Sequence, residues 1–255
     1  MRRKYGRMDL ATISASELDQ VQDQLRTRLK NASSLETAAQ TCVQMLIHAF
    51  QQDIVLARVF ITLPFGSLPE VQRRHVWNIV ERQSLQAQMS ATTPVLTLLG
   101  TSGREPAWCQ RQTSQGHAAI PLCSTSFVDS IPMIARMLHQ MGVNLNLSDA
   151  SDTSYAEQIL GAGWVGLFYV DDARFARDQL GRRVIPAESF VDQYQVRTVF
   201  GLGKAYSSGS IATLVVFTNT RVSKKAVEDL IPVMNLFKAA TTSLINQSMI
   251  WSSTS

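Results

Sequence analysis

Val196-Arg197-Thr198-Val199-Phe200-Gly201-Leu202-Gly203-Lys204 and Ser210-Ile211-Ala212-Thr213-Leu214-Val215-Val216-Phe217-Thr218-Asn219 are two β-type apolar runs. Ala205-Tyr206-Ser207-Ser208-Gly209 joins them, with turn chemistry at its end. Two such runs with a short Gly- and Ser-rich link predict a β-hairpin. A third apolar run, residues 163–170, precedes them and ends in Asp171-Asp172. A long amphipathic segment starts immediately afterwards at Ser223 and carries Val227, Leu230, Met234, Phe237, Leu244 and Ile245. Proline removes a backbone donor and clashes one turn back, so Pro232 predicts a kink or local irregularity there.

Upstream, Ser14 and Glu17 have the spacing of a capping box, followed by an apolar stripe at Leu18, Val21, Leu25 and Leu29. Ser33 and Glu36 repeat that spacing before a second helix whose buried face is Leu35, Ala38, Ala39, Cys42, Val43, Leu46 and Phe50. Residues 55–63 read as a strand, with Arg58 and Thr62 on a wetter face. Residues 69–88 read as helix, 94–99 as a short strand, 100–116 as a long polar loop and 118–122 as a third strand. Residues 126–141 have helical spacing, with Pro132 suited to a first turn and Gly142 to a C-terminal cap. A polar connector, 144–161, carries a short helix at 154–160, and 172–192 is loop-rich. Strands mixed with helices, without regular βαβ alternation, predict an α+β fold with a mainly antiparallel central sheet flanked by helices, N- and C-terminal ones included. The expected organisation is a flexible basic N-terminus (1–13), one domain (14–250) and a short tail (251–255).

A chain of 255 residues with 45% hydrophobic and 17% charged residues is a folded domain, not a disordered one. No apolar run approaches the roughly 18 residues of a membrane span, and no secretory h-region is visible, which predicts a cytoplasmic protein. The net charge of +4 comes largely from Arg2, Arg3, Lys4 and Arg7 against Asp9. A solvated, frayed terminus accounts for that cluster, so nucleic acid is not the expected partner. Three cysteines without a C-x-x-C predict free thiols in a reducing compartment.

No catalytic constellation is present: no Gly-x-Ser-x-Gly, no phosphate loop, and Gly201-Leu202-Gly203 lies in a strand pattern with no helix after it. Asp171 and Asp172 are adjacent on extended chain and face opposite ways, which suits a turn better than an acid/base pair. His48, His75 and His139 sit alone in helical segments. The polar-aromatic loop is the richest candidate for binding an anionic or planar ligand, through Arg104, Trp108, Cys109, Arg111 and His117. Packing of Trp108 and His117 onto the core accounts for the same residues. The spacing of Cys109, His117 and Cys123 matches no zinc pattern, so no metal site is expected. Tyr169, Arg197 and Tyr206 complete the candidate set, the last two placed by alternation either on the sheet face or in solvent.

Several blocks resemble the GAF-type sensory domains attached to bacterial sensor histidine kinases. They are Leu98-Leu99-Gly100-Thr101-Ser102-Gly103-Arg104-Glu105-Pro106-Ala107-Trp108, Gly116-His117-Ala118-Ala119-Ile120-Pro121-Leu122 and Ile131-Pro132-Met133-Ile134-Ala135-Arg136. Gly166-Leu167-Phe168-Tyr169-Val170-Asp171, Phe190-Val191, Tyr194 and the run from Val196 to Gly203 continue the likeness, which spans roughly residues 35–245. The resemblance implies an antiparallel sheet with helices packed on it. It also implies a cavity for a small molecule (cyclic nucleotide, tetrapyrrole, haem, amino acid or metabolite) and terminal helices that pair two subunits. No cofactor is specified. No output domain follows the last helix, so the resemblance implies a partner signalling protein. Two other readings accompany the non-enzymatic sensor: a redox enzyme using Cys109 and Cys123, as in the free methionine-(R)-sulfoxide reductases, and a ligand-free dimerisation scaffold.

Overall fold

The computed structural model describes residues 8–114, 117–143 and 165–252. Its elements in chain order are α1 (Ala15–Leu29), α2 (Leu35–Ala49), β1 (Ile54–Pro64), α3 (Glu70–Arg82), β2 (Pro94–Gly103), β3 (Ala119–Pro121), α4 (Thr125–Asp129), α5 (Pro132–Gln140), β4 (Gly166–Val170), α6 (Glu188–Gln193), β5 (Val199–Ala205), β6 (Ile211–Thr218), α7 (Lys224–Asp229) and α8 (Ile231–Asn246). The strands form one six-stranded sheet in the order β3-β2-β1-β6-β5-β4, and each neighbouring pair is antiparallel. The fold is therefore α+β, with a mainly antiparallel sheet flanked by helices. The helix expected at 154–160 lies outside the described residues.

Two faces of the sheet follow from the register. On the first, Ile54, Phe200, Leu214 and Val216 meet Leu46 and Phe50 of α2, together with Leu230 and Val233 at the start of α8. There, Gly100 lies against the α2 backbone, and a Cβ on it would come within 2.5 Å of the Ala39 carbonyl carbon. The stripe Val21, Leu25 and Leu29 of α1 is buried within this same layer, where α1 packs on α8 and α2. On the second face, Arg58 pairs across with Val215, Val215 with Gly201, and Gly201 with Phe168. Met141, just after α5, touches the Gly201 position from that side.

The local chemistry of the termini explains most boundaries. Ser14 caps α1 in a complete capping box with Glu17. The second expected box is not made. Ser34, not Ser33, caps α2 by accepting from the Thr37 amide, while Glu36 turns inward to a partner far along the chain. Pro132 opens α5, and Gly142 takes φ +72, the left-handed conformation that glycine tolerates after a helix. The expected long C-terminal helix is two helices. Ser223 caps α7, Leu230 ends it, and Pro232 sits in the first turn of α8, where its missing N–H breaks no intrahelical bond. In the hairpin, the Tyr206 amide donates to Ser210 O and Gly209 takes φ +84.

Three further expectations need correction. Strand β2 does not stop at Leu99; Gly100 to Gly103 continue it against Leu56 to Val59 of β1, so the loop starts four residues later. Arg58 and Thr62 are not on a wet face: both are buried, at 8% exposure. The 69–88 segment is α3 to Arg82 and then a separate turn at Gln86–Gln88. The packed body also reaches beyond 14–250. Met8 and Leu10 lie in the core, with the Leu10 amide donating to Asp53 Oδ2 at 2.9 Å. At the other end, Met249 O and Ile250 O accept from the first two amides of α2, those of Leu35 and Glu36.

Candidate functional site

The second face of the sheet is mostly apolar, with Arg58 at its middle and the buried Thr62, Thr101 and Thr213 sharing the face. Leu56, Phe60, Phe168, Val215 and Phe217 are buried there around Arg58. The Arg58 Nη2 donates to Ser114 Oγ at 2.8 Å, which brings the end of the 104–114 loop over the strand. Burial pushes the Arg58 guanidinium down to about 10, because a low-dielectric site disfavours its charged form. His117 belongs to the same neighbourhood. Desolvation and then the Arg58 charge hold its imidazole below the usual range, although the residue as a whole is exposed. Its backbone has φ +46.

One end of this face is closed by aromatic rings. Trp108 packs edge-on to Phe190 of α6 at 5.5 Å and to Tyr194 at 4.8 Å, and Phe190 meets Phe217 of β6 at 5.4 Å. The Tyr194 hydroxyl donates to Glu105 Oε1 at 2.7 Å, tying α6 to the loop. Gly103 makes room for Trp108: a Cβ there would lie 2.8 Å from the indole. The loop is fixed from behind by Gln40 of α2, whose amide group bonds Thr101 O, the Thr101 amide and Cys109 O.

The eight candidates from the sequence do not converge. Trp108 and His117 lie on the second-face side, and the Cys109 Sγ donates to Gly103 O and Glu105 O in the loop between them. Arg104 points away, its Nη2 on Gln52 O. Arg111 forms a buried pair with Glu36, Nη2 to Oε1 at 2.7 Å, and stacks its guanidinium 5.2 Å over Trp251. The Tyr169 hydroxyl donates to Val222 O and to Asp171 Oδ1. Arg197 stands 3.7 Å from Asp172 Oδ2. Tyr206 is fully buried on the first face, 2.8 Å from Thr241 Oγ1 of α8.

Arg58, Ser114, Phe190 and Tyr194 are the side chains that sequence reasoning did not rank as site residues. A lone charge inside an otherwise apolar β-run is the signal that finds Arg58. Asp172 is likewise more than a turn residue. It accepts from the Arg174 amide and is also approached by Arg174, Arg221 and Arg197 at 2.6, 3.2 and 3.7 Å. Burial raises its pKa, but the hydrogen bonds from Arg174 and Arg221 prevail and hold the carboxyl below its ordinary value.

Desolvation pushes Cys42 up to about 12 and raises Cys123 as well. Among the described residues, no group of three or more His, Cys, Asp or Glu could hold a metal ion, and no helix is long and apolar enough to cross a membrane. The cavity beneath α2 and α8 on the first face has about 10 Å³ of room for water centres and an apolar lining, too little for an organic ligand.

No protein-family model matches the chain, and no curated protein matches it. Solved structures do. The chain is similar to the GAF domain of a phosphoenolpyruvate-protein phosphotransferase from Acinetobacter, at 12% identity over 93% of this chain and 100% of that one, with a TM-score of 0.44. It is similar to the phycoerythrobilin-bound GAF domain of a cyanobacterial phytochrome at 11% identity over 93% and 99%, TM-score 0.49. It is also similar to the free methionine-R-sulfoxide reductase of Neisseria meningitidis at 10% identity over 95% and 99%, TM-score 0.47. The name GAF, which the sequence blocks suggest, is thus also carried by solved structures that resemble this chain.

Proposed function

We propose that the chain is a GAF-like regulatory domain that binds a small molecule on the second face of its sheet, without catalysing a reaction on it. The observation that carries this reading is Arg58: a buried guanidinium in the middle of a mostly apolar sheet face, over which a loop closes. An apolar surface with a fixed polar group holds a ligand by its body and orients it by its head. The head would be an anionic or carbonyl group, within reach of Arg58, Ser114 and His117. The aromatic wall of Trp108, Phe190 and Tyr194 would meet a planar part of the ligand. Output would pass to a partner protein through the layer of α1, α2 and α8.

The redox reading is less well supported. Thiol catalysis is favoured by a depressed pKa, and Cys123, one of the two thiols that reading uses, is shifted the other way. Pairing through the terminal helices, and the scaffold reading with it, would have to use positions other than Val21, Leu25 and Leu29, since those are buried within the chain.

Native mass spectrometry of the purified protein, followed by denaturation, tests the proposal. A small molecule should be retained by the wild type and lost from Arg58→Met, with both proteins equally folded by circular dichroism. A wild type that carries nothing and takes up nothing from a metabolite extract, or an Arg58→Met variant that retains the same molecule, would overturn it.

A further inference from the structure

The chain after β4 folds back on itself as a small hairpin. Arg177 and Arg183 form an antiparallel bridge, flanked by backbone bonds from the Asp178 amide to Arg182 O and from the Val184 amide to Ala176 O, both 2.9 Å. Ala176 and Val184 pack on the core, so Arg177 and Arg183 point the other way. The turn between them is braced. Asp178 accepts from the Leu180 amide, the Arg182 amide and Arg182 Nε at 3.0, 2.8 and 2.7 Å. Arg182 Nη2 donates to Asp129 O at the end of α4, which ties the turn to the body. This fixed turn holds Leu180 at 78% exposure. Phe175, at the base of the hairpin, is 71% exposed, with the Arg174 guanidinium 4.8 Å from its ring centroid.

Like charges directly across a bridge repel, and the flanking bonds give this pair the closer of the two antiparallel spacings. Arg183 is matched by Glu188 of α6 at 2.8 Å. Among the described residues Arg177 makes no ion pair; it donates to Gly181 O. Asp172 serves Arg174, Arg197 and Arg221 at once. Arg174, Arg177, Arg182, Arg183, Arg197 and Arg221 thus outnumber Asp171, Asp172, Asp178 and Glu188 by two at this corner. Exposed apolar side chains with a cationic collar match a surface that is negative outside and apolar beneath. We propose that the 174–183 hairpin docks the protein on an anionic phospholipid bilayer, Leu180 entering the headgroup layer and Arg177 meeting the phosphates. A bilayer takes up an aliphatic side chain without a matching pocket, whereas a nucleic-acid strand offers leucine nothing. Because the turn is already fixed, little ordering is lost on contact.

Co-sedimentation of the full chain with vesicles tests this, using phosphatidylcholine alone and phosphatidylcholine with an equal part of phosphatidylglycerol. The wild type should bind the mixed vesicles and not the neutral ones, and added salt should weaken that binding. Leu180→Ser should lower the partition coefficient about tenfold. Phe175→Ser should lower it as well, and Arg177→Gln should lower it about fivefold. All three side chains are exposed, so circular dichroism should be unchanged. No binding of the wild type to mixed vesicles, or equal binding to both kinds, would overturn the proposal. So would binding that all three variants retain, which would assign it to the cations of residues 2–7. Binding lost in Arg177→Gln but kept in Leu180→Ser and Phe175→Ser would overturn it too, and would make the hairpin a site for an acidic protein or a nucleic acid.

Discussion

Glu36 joins two distant parts of the chain to α2. One carboxylate oxygen faces the Arg111 guanidinium, and the other accepts from the Ser252 amide and hydroxyl at 2.9 and 3.0 Å. Both side chains of the ion pair are buried, at 8% and 9% exposure. Removing one member of such a pair strands the other charge in a low-dielectric site. Glu36→Ala should therefore lose about 3 kcal/mol of stability, read as a lower urea midpoint. Replacing both partners, Glu36→Leu with Arg111→Met, should recover most of that loss. A double variant no more stable than Glu36→Ala would show that the stabilisation comes from the strap contacts of Glu36 and not from the charge pair. The same residue shows why the partner of Arg111 was not legible in the sequence. An arginine in a polar-aromatic loop has the look of a ligand contact, and its true partner is 75 positions away on a helix whose cap spacing points to a different use of Glu36.

At the scale of elements, the hairpin β5–β6, strand β1 and helices α1 and α5 were legible because period, β-branching and capping act locally. Strand β2 was only half legible. Gly100-Thr101-Ser102-Gly103 has loop chemistry, yet each glycine is there for close approach: Gly100 to the α2 backbone and Gly103 to Trp108. The two sheet glycines facing opposite layers give a paired prediction. Gly100→Ala drives a methyl to 2.5 Å from a backbone carbon that cannot step aside, so it should cost about 3 kcal/mol. Gly201→Ala meets the flexible end of Met141 at 3.2 Å and should cost about 1 kcal/mol. Equal losses in urea denaturation would mean that α2 does not sit as tightly on β2 as described. Of the sequence candidates, Trp108 and His117 lie on the side of the face proposed above as the site. The centre of that face was not legible, because Arg58 looks like an outward position in a strand until the register with Thr101 and Val215 is known.

For the whole molecule, the corner where β4 ends is the point at which acid should act. Asp172 there gathers Arg174, Arg221 and Arg197, and its folded pKa lies below the ordinary 3.8. A carboxyl with a depressed folded pKa contributes stability that is complete above its unfolded pKa and is lost as pH falls through its folded pKa. The stabilisation should therefore be full at neutral pH and fade below about pH 4. Asp172→Asn should lower the urea midpoint at neutral pH, and the gap to the wild type should narrow on acidification. A gap that stays constant down to strong acid would show that the residue acts through its turn hydrogen bond alone.

The closure of α2 by Met249 and Ile250 has a mechanical consequence. Residues 249–252 run from the end of α8 back to the first turn of α2, where the two leading amides and the Glu36 carboxylate hold them. Tension applied to the chain beyond Ser252 would meet that clasp before it could peel α8 away, and the load would pass along α2 to Gln40 and the loop it braces. Cargo hung on this end would pull on the same loop that folds over the sheet.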